Sequence, residues 1–199
     1  IGVVGAHVAV SPEPSLLASD AIDFVGRNEF DFTVKEVAEG RPLSQVDGLS
    51  YKVDGKAVHN PERAMIEDMD TLPWVVDVYK RDLVAEDYFN GYMLHPYLSL
   101  YTGRGCKSRC TFCLWPQTIG GHKYRVRSAA NVVAEIAHAK ALFPQVKEFY
   151  FDDDTFTDLG PRVEEIARGL GKLGVTWSCT AKPNVPYETL KVMRFFLGD

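Results

Sequence analysis

The sequence is short of three things: cysteine, positive charge and long apolar runs. Its 199 residues include four cysteines, three of them clustered, which is unlike the even spread of a secreted disulfide framework. The formal net charge of −5 at pH 7 gives no global attraction to nucleic acid. No uncharged run is long enough to span a membrane, and the apolar opening 1–10 lacks the basic flank of a targeting signal. We therefore expect a cytoplasmic protein without a transmembrane segment, and peripheral association with a membrane stays open.

The remaining composition is that of a folded domain. Hydrophobic residues make up 46% of the chain and charged residues 25%, and the length allows one large domain or two small ones. The chain begins with Ile in what resembles a strand already under way, and it ends as abruptly after Asp199. We expect it to be a piece of a longer protein.

Three of the four cysteines, Cys106, Cys110 and Cys113, lie within eight residues. A structural zinc site is completed by four ligands, and a ferredoxin cluster also uses four thiolates. Three thiols with gaps of three and two residues instead suggest a four-iron cluster that leaves one iron open to a ligand from outside the protein. Two alternatives stay open: a zinc site completed by His122 or Cys179, and a thiol trio without metal. Cys179 is disfavoured as a fourth cluster ligand, because it would block the open position.

The pattern Cys-x-x-x-Cys-x-Phe-Cys resembles the signature of the radical S-adenosylmethionine enzymes. The resemblance implies a [4Fe-4S] cluster whose open iron is chelated by S-adenosylmethionine, which an electron then cleaves to methionine and a 5′-deoxyadenosyl radical. It also implies that Phe112 and the neighbouring backbone lie against the adenine. The partners it implies are a small-molecule or lipid-linked substrate and an electron donor such as a flavodoxin or ferredoxin, with no nucleic acid.

The residues after the last cysteine narrow the resemblance. Cys-Leu-Trp-Pro-Gln-Thr, followed by Gly-Gly-His-Lys-Tyr-Arg-Val-Arg-Ser, resembles a subgroup of cobalamin-dependent radical enzymes associated with hopanoid biosynthesis. The basic side chains of this stretch, Arg127 among them, are candidates for binding the methionine carboxylate, or they pair with acidic neighbours.

A second group of candidates follows the next predicted strands. Three carboxylates, Asp152 to Asp154, follow the apolar run 146–151 and repel one another unless cations or hydrogen-bond donors meet them. The resemblance assigns the amino group of S-adenosylmethionine to Asp153 or Asp154, the alternative being an acidic cap at a helix start. Lys182, at the end of the run 175–182, is the other candidate for the cofactor carboxylate.

The order of strand and helix patterns predicts an α/β fold. We expect a strand over 1–10, helices over 13–18 and 32–39, and a short strand at 21–25. Residues 1–48 resemble the C-terminal part of a Rossmann-like cobalamin-binding-type domain, with His7 more typical of a structural residue than of a cofactor ligand. Residues 49–95 are predicted to form a hairpin with an Asp54-Gly55 turn and a linker. Residues 96–199 are predicted to form the N-terminal part of a radical S-adenosylmethionine (β/α) barrel, with strands at 97–101, 146–151 and 175–182.

The leading hypothesis is an enzyme that starts radical chemistry on an unactivated carbon, with a hopanoid side chain as the suggested substrate. The chain by itself is expected to hold a cluster poorly or not to turn over. Participation of cobalamin depends on residues upstream of those in the sequence. Two other hypotheses are a zinc-binding interaction module without catalysis and a radical enzyme that modifies RNA.

Overall fold

The computed structural model of the chain describes residues 1–195. These residues form two compact units. Unit 1 contains Ile1–Glu67 and Gly105–Tyr124, and unit 2 contains Asp68–Arg104 and the described residues 125–195. Residues 105–124 belong to unit 1, whereas the sequence predicts one domain over 96–199. The predicted domain limits of 1–48, 49–95 and 96–199 stay predictions.

The beginning of unit 1 corrects the predicted strand over 1–10. Only Gly2–Val3 (β1) is a strand, and Ala6–Val10 (α1) and Pro12–Leu17 (α2) are helices. Gly5, with φ of 114°, separates β1 from α1 in a conformation that favours glycine. A short apolar run is ambiguous between strand and helix, and here the glycine decides where the strand ends. The predicted helix over 13–18 is confirmed, with proline tolerated in its first turn.

Four strands form the sheet of unit 1. β1 runs parallel to Phe24–Gly26 (β2), which is followed by the helix Asp31–Ala38 (α3). β2 pairs antiparallel with Leu49–Val53 (β3), and β3 pairs antiparallel with Lys56–His59 (β4). This sheet is therefore mixed.

The Asp54-Gly55 hairpin is confirmed, but its predicted place on a connecting segment is wrong. Asp54 and Gly55 have φ of 49° and 74°, as a primed two-residue turn requires. β3 pairs on both edges and buries Leu49, Ser50 and Tyr51. The hairpin thus completes the sheet of unit 1.

Unit 2 is built on a parallel three-stranded sheet. Its strands Tyr97–Leu100 (β5), Glu148–Phe151 (β8) and Trp177–Cys179 (β9) are ordered β5-β8-β9. The helices Ala129–Leu142 (α5) and Gly160–Leu173 (α6) connect them. Alternate residues of these strands, including Leu100, Phe151 and Trp177, are buried in an apolar core with both helices. The other elements of unit 2 are the helices Val76–Asp82 (α4) and Tyr187–Phe195 (α7) and the two-stranded ribbon Gly103–Arg104 (β6) and Arg125–Val126 (β7).

The helix boundaries of unit 2 agree with the sequence signals. Ser128 caps α5 by accepting a hydrogen bond from the Asn131 amide, and Pro161 lies in the first turn of α6. Gly174 ends α6 in the left-handed conformation. α5 and α6 approach closely, since a Cβ on Gly169 would lie 2.5 Å from Val133 Cγ2. Among residues 1–195, no helix is both long and apolar enough to cross a bilayer.

Candidate functional site

The cysteine loop, defined here as residues 105–124, leaves unit 2 and returns to it through the ribbon of β6 and β7. Gly103 pairs with Val126, and Arg104 pairs with Arg125, in antiparallel register. The Arg127 amide donates to the Thr102 carbonyl at 2.9 Å, which extends the pairing by one residue on each strand, away from the loop. We call residues 102–104 and 125–127 the stem. The stem brings the two ends of the cysteine loop to hydrogen-bonding distance.

The first residue of the loop must be glycine. Gly105 has φ of +90°, and a Cβ there would lie 2.4 Å from the Lys123 carbonyl oxygen and 2.6 Å from that of Gly120. The Cys106 amide donates to the Gly121 carbonyl at 3.2 Å. The loop therefore crosses its own returning backbone just before its first cysteine.

Substitution Gly105→Ala is expected to disrupt this crossing, because the new Cβ collides with rigid backbone and the φ angle is strained for alanine. We expect iron binding after anaerobic reconstitution to fall severalfold. Gly91→Ala is the control, because a Cβ at Gly91 meets nothing within 4 Å. Equal iron content in the two variants would show that the crossing is not needed.

The three loop cysteines are unbridged, and Cys110 is exposed while Cys106 and Cys113 are half-buried. The Cys113 amide donates to the Cys110 carbonyl at 3.1 Å, and the Gln117 side chain donates to the Cys113 carbonyl at 2.9 Å. Phe112, predicted to lie against adenine, is 90% exposed. Within residues 1–195, no three His, Cys, Asp or Glu side chains are grouped as a metal site.

The donor set fits an iron–sulfur cluster by its chemistry. Three unbridged thiols on one loop are soft ligands of the kind that clusters use. Two cationic side chains, Lys107 and Arg109, are exposed between the first two cysteines.

Within unit 1, the cysteine loop packs against the N-terminal elements. The turn Pro116–Gly120, which has π-helical hydrogen bonding, contacts α1. A Cβ on Gly121 would lie 2.8 Å from Met65, and Lys123 forms an ion pair with Glu67. Residues after the cysteines therefore border the segment predicted to belong to a cobalamin-binding-type domain.

The acidic segment after β8 lies in unit 2, and its three carboxylates have different surroundings. Asp153 is 1% exposed, and its two oxygens accept hydrogen bonds from the Thr102 amide and hydroxyl, both at 2.6 Å. Asp152 accepts from the Tyr101 hydroxyl at 3.3 Å. Burial and the nearby Asp152 raise the pKa of Tyr101 to about 12, so this hydroxyl stays protonated. Asp154 is half-buried.

The two predicted cations of unit 2 pair with acidic side chains. Arg127 is buried, and its Nη1 lies 2.5 Å from Glu135 Oε2 while its Nε donates to Asn131 at 2.9 Å. Lys182 Nζ lies 2.9 Å from Asp158 Oδ2. The pairing with acidic neighbours was the alternative interpretation of Arg127.

Sequence reasoning missed two residues that hold the stem. Thr102 binds Asp153, and Arg162 donates from Nη2 to the Thr102 carbonyl at 2.9 Å and from Nε to the Arg127 carbonyl at 2.7 Å. The sequence does place Thr102 four residues before Cys106, and this position could have indicated a role at the entry to the loop. Nothing in the sequence distinguishes Arg162 from other basic residues in a first helical turn.

Cys179 is a poor metal ligand. It lies at the end of β9, where burial and the nearby Asp153 raise the pKa of its thiol to about 12. A metal ligand must be a thiolate, so this pKa opposes coordination. The prediction that Cys179 is not a fourth cluster ligand agrees with this environment.

Alkylation rates should separate the cysteines. With a pKa of about 12, only about one Cys179 thiol in ten thousand is ionised at pH 8. In reduced protein without metal, iodoacetamide at pH 8 is expected to modify the exposed Cys110 at least about tenfold faster than Cys179. Peptide mass spectrometry measures both rates, and equal rates would contradict the environment described for Cys179.

No protein-family model matches the chain. It is 32% identical over 194 residues to an uncharacterised methyltransferase of Pyrococcus horikoshii, across 96% of this chain and 41% of that protein. It is 26% identical over 206 residues to cytidylyl-2-hydroxyethylphosphonate methyltransferase of Streptomyces wedmorensis, across 87% of this chain and 38% of that enzyme. The chain thus spans about two fifths of the length of each relative. Both relatives are enzymes by name, which supports the prediction that the whole protein is an enzyme.

Solved structures of TsrM, a radical S-adenosylmethionine methyltransferase from Kitasatospora setae, are similar in fold. One contains tryptophan substrate and an S-adenosylmethionine analogue, and it matches with a TM-score of 0.59 and 17% identity over 86% of this chain and 33% of TsrM. The other contains cobalamin and a [4Fe-4S] cluster and matches with a TM-score of 0.58, 18% identity and coverage of 86% and 34%. The likeness is one of fold. At the level of the fold, the likeness confirms the predicted α/β class.

Proposed function

We propose that this chain is part of a cobalamin-dependent radical S-adenosylmethionine methyltransferase. The observation that carries the proposal is the cysteine loop: three unbridged thiols on one loop whose ends are joined by the stem. The methyltransferase relatives and the TsrM fold support methyl transfer as the reaction. The predicted reaction was radical chemistry on an unactivated carbon, and the proposal narrows it to methyl transfer.

The cluster would be held by Cys106, Cys110 and Cys113 as thiolates. When bound, the cluster supplies an electron to S-adenosylmethionine, and cobalamin supplies a carrier for the methyl group. The chain's own residues would bind and orient these groups. A cluster held by these three thiolates would have one iron without a protein ligand, which the amino and carboxylate groups of S-adenosylmethionine would bind.

One further residue of the cysteine loop is proposed to contact S-adenosylmethionine. Phe112 offers an exposed aromatic face of the kind that stacks on adenine. The predicted contact of Asp153 or Asp154 with the amino group stays a prediction. The predicted contacts of Arg127 and Lys182 with the carboxylate stay predictions, since these cations already pair with acidic side chains.

Cobalamin would lie against unit 1. Residues 1–48, which include β1, β2 and α1 to α3, are the part predicted to belong to a cobalamin-binding-type domain, and α1 contacts the turn that follows the cysteines. A methyl carrier has to approach the methyl donor, so this contact suits the proposed reaction.

The substrate and partners are proposed more coarsely. Four points remain predictions from the sequence: the hopanoid side chain, a lipid-linked substrate, the flavodoxin or ferredoxin donor, and the cytoplasmic location. The Streptomyces relative is named for a cytidylyl phosphonate, and one TsrM structure contains tryptophan as its substrate.

The test uses the full-length protein, reconstituted anaerobically with iron, sulfide and cobalamin and supplied with a reductant and S-adenosylmethionine. We expect mass spectrometry to find products of S-adenosylmethionine that depend on the reductant. Stoichiometric zinc without any turnover of S-adenosylmethionine would contradict the proposal and favour a zinc-binding interaction module.

A further inference from the structure

The base of the stem is a single residue whose polar groups are all bonded. The Thr102 amide and hydroxyl donate to the two oxygens of Asp153, both at 2.6 Å. The Thr102 carbonyl accepts from the Arg127 amide and from Arg162 Nη2, both at 2.9 Å. Gly103, the next residue, begins β6. The position of Thr102 therefore sets where the strand that enters the cysteine loop begins.

Asp153 is suited to this role by charge and burial. Its side chain is 1% exposed, and a carboxylate in such a place is costly unless donors meet it. Bonds from neutral donors to an ionised carboxylate are stronger than bonds between neutral groups, and one carboxylate accepts from both donors of Thr102 at once. In the same geometry an asparagine would present one oxygen and one amino group, and the amino group cannot accept the second bond.

Arg162 also binds the base of the stem, through backbone carbonyls. Its guanidinium, at the start of α6, bonds the carbonyls of Thr102 and Arg127 and so bridges the two strands at the base of the stem. The stem is thereby attached to two elements of unit 2, the end of β8 through Asp153 and the start of α6 through Arg162.

We propose that Asp153 is a positioning residue that holds the stem of the cysteine loop through Thr102, and that it does not bind the amino group of S-adenosylmethionine. This inference rests on the proposed function for its link to the cofactor. Of the two carboxylates that the sequence predicts for the amino group, Asp154 is then the remaining candidate.

The experiment compares Asp153→Asn, Asp153→Ala, Thr102→Val, Thr102→Ser and Asp154→Asn in the full-length protein. The first measurement is hydrogen exchange of peptides that cover residues 101–104 and 125–128, in protein without metal. We expect Asp153→Ala and Thr102→Val to raise exchange about tenfold or more, since each removes bonds to a charged group. Thr102→Ser keeps the hydroxyl and should stay near wild type. Asp154→Asn should leave exchange in these peptides unchanged.

The second measurement is the dissociation constant of S-adenosylmethionine in cluster-loaded protein, normalised to iron content. Asp153→Asn is expected to stay within about threefold of wild type, while Asp154→Asn weakens binding about tenfold. Unchanged stem exchange in Asp153→Ala, or tenfold weaker binding in Asp153→Asn with an unchanged stem, would overturn the inference. A wild-type protein that assembles no cluster would refute the proposed function, and hydrogen exchange would still decide whether Asp153 holds the stem.

Discussion

Simultaneous replacement of Cys106, Cys110 and Cys113 by alanine is expected to abolish iron binding in the anaerobically reconstituted full-length protein. The wild-type protein should contain about four iron atoms per cluster site, and the triple variant almost none. The three thiols are the only cysteines of the loop, and Cys179 is protonated at neutral pH because its pKa is about 12. No other cysteine of this chain is therefore suited to replace a lost ligand.

The matched control is Cys179→Ala. It removes the remaining cysteine of the chain and should leave iron content and the visible absorption of the cluster unchanged. Iron retained by the triple variant, or lost in Cys179→Ala while the protein stays folded, would show that the cluster is not held by the loop.

The largest effect on stability is expected from Glu135→Ala. Glu135 is 1% exposed in α5, and its carboxylate lies 2.5 Å from Arg127 Nη1 and accepts from the Val75 amide at 2.9 Å. Removal of one partner of a buried ion pair costs about 3–5 kcal/mol, because the other charge is left buried without compensation. The same change also leaves the Val75 amide without the bond that ties the start of α4 to α5.

Urea unfolding of the variant and of Glu188→Ala measures this difference. Glu188 pairs with Lys191 on α7 but is 77% exposed, so its loss should change the free energy of unfolding by less than about 0.5 kcal/mol. Similar unfolding midpoints for both variants would contradict the structural role given to Arg127 and Glu135.

The sequence predicted much of the fold because local signals agree with it. Ser128 marks the start of α5, Pro161 lies in the first turn of α6, and the Asp54-Gly55 turn forms as expected. The strands of the parallel sheet were predicted within a few residues, because their apolar runs are flanked by turn residues and helices.

Other features depend on tertiary contacts that local patterns do not contain. The apolar run 1–10 suits a strand as well as a helix, and its second half, after Gly5, is the helix α1. The hairpin 49–59 could not be assigned to the sheet of unit 1 without knowing that Ser50 pairs with Val25.

The candidate site shows the same division. The cysteine spacing indicates a cluster by itself, since the ligands are close together along the chain. Which of three adjacent carboxylates is buried depends on Thr102, which lies 51 residues away in sequence. The ion pairs of Arg127 and Lys182 likewise join residues that only the folded chain brings together.

The measurement that most directly tests the central claim is electron paramagnetic resonance of the reduced, cluster-loaded full-length protein before and after addition of S-adenosylmethionine. If three thiolates hold the cluster and its fourth iron is open, the spectrum of a [4Fe-4S] cluster should appear and should change when S-adenosylmethionine is added. A cluster spectrum that S-adenosylmethionine leaves unchanged, or zinc in place of iron, would contradict the claim that the cysteine loop binds a cluster for S-adenosylmethionine.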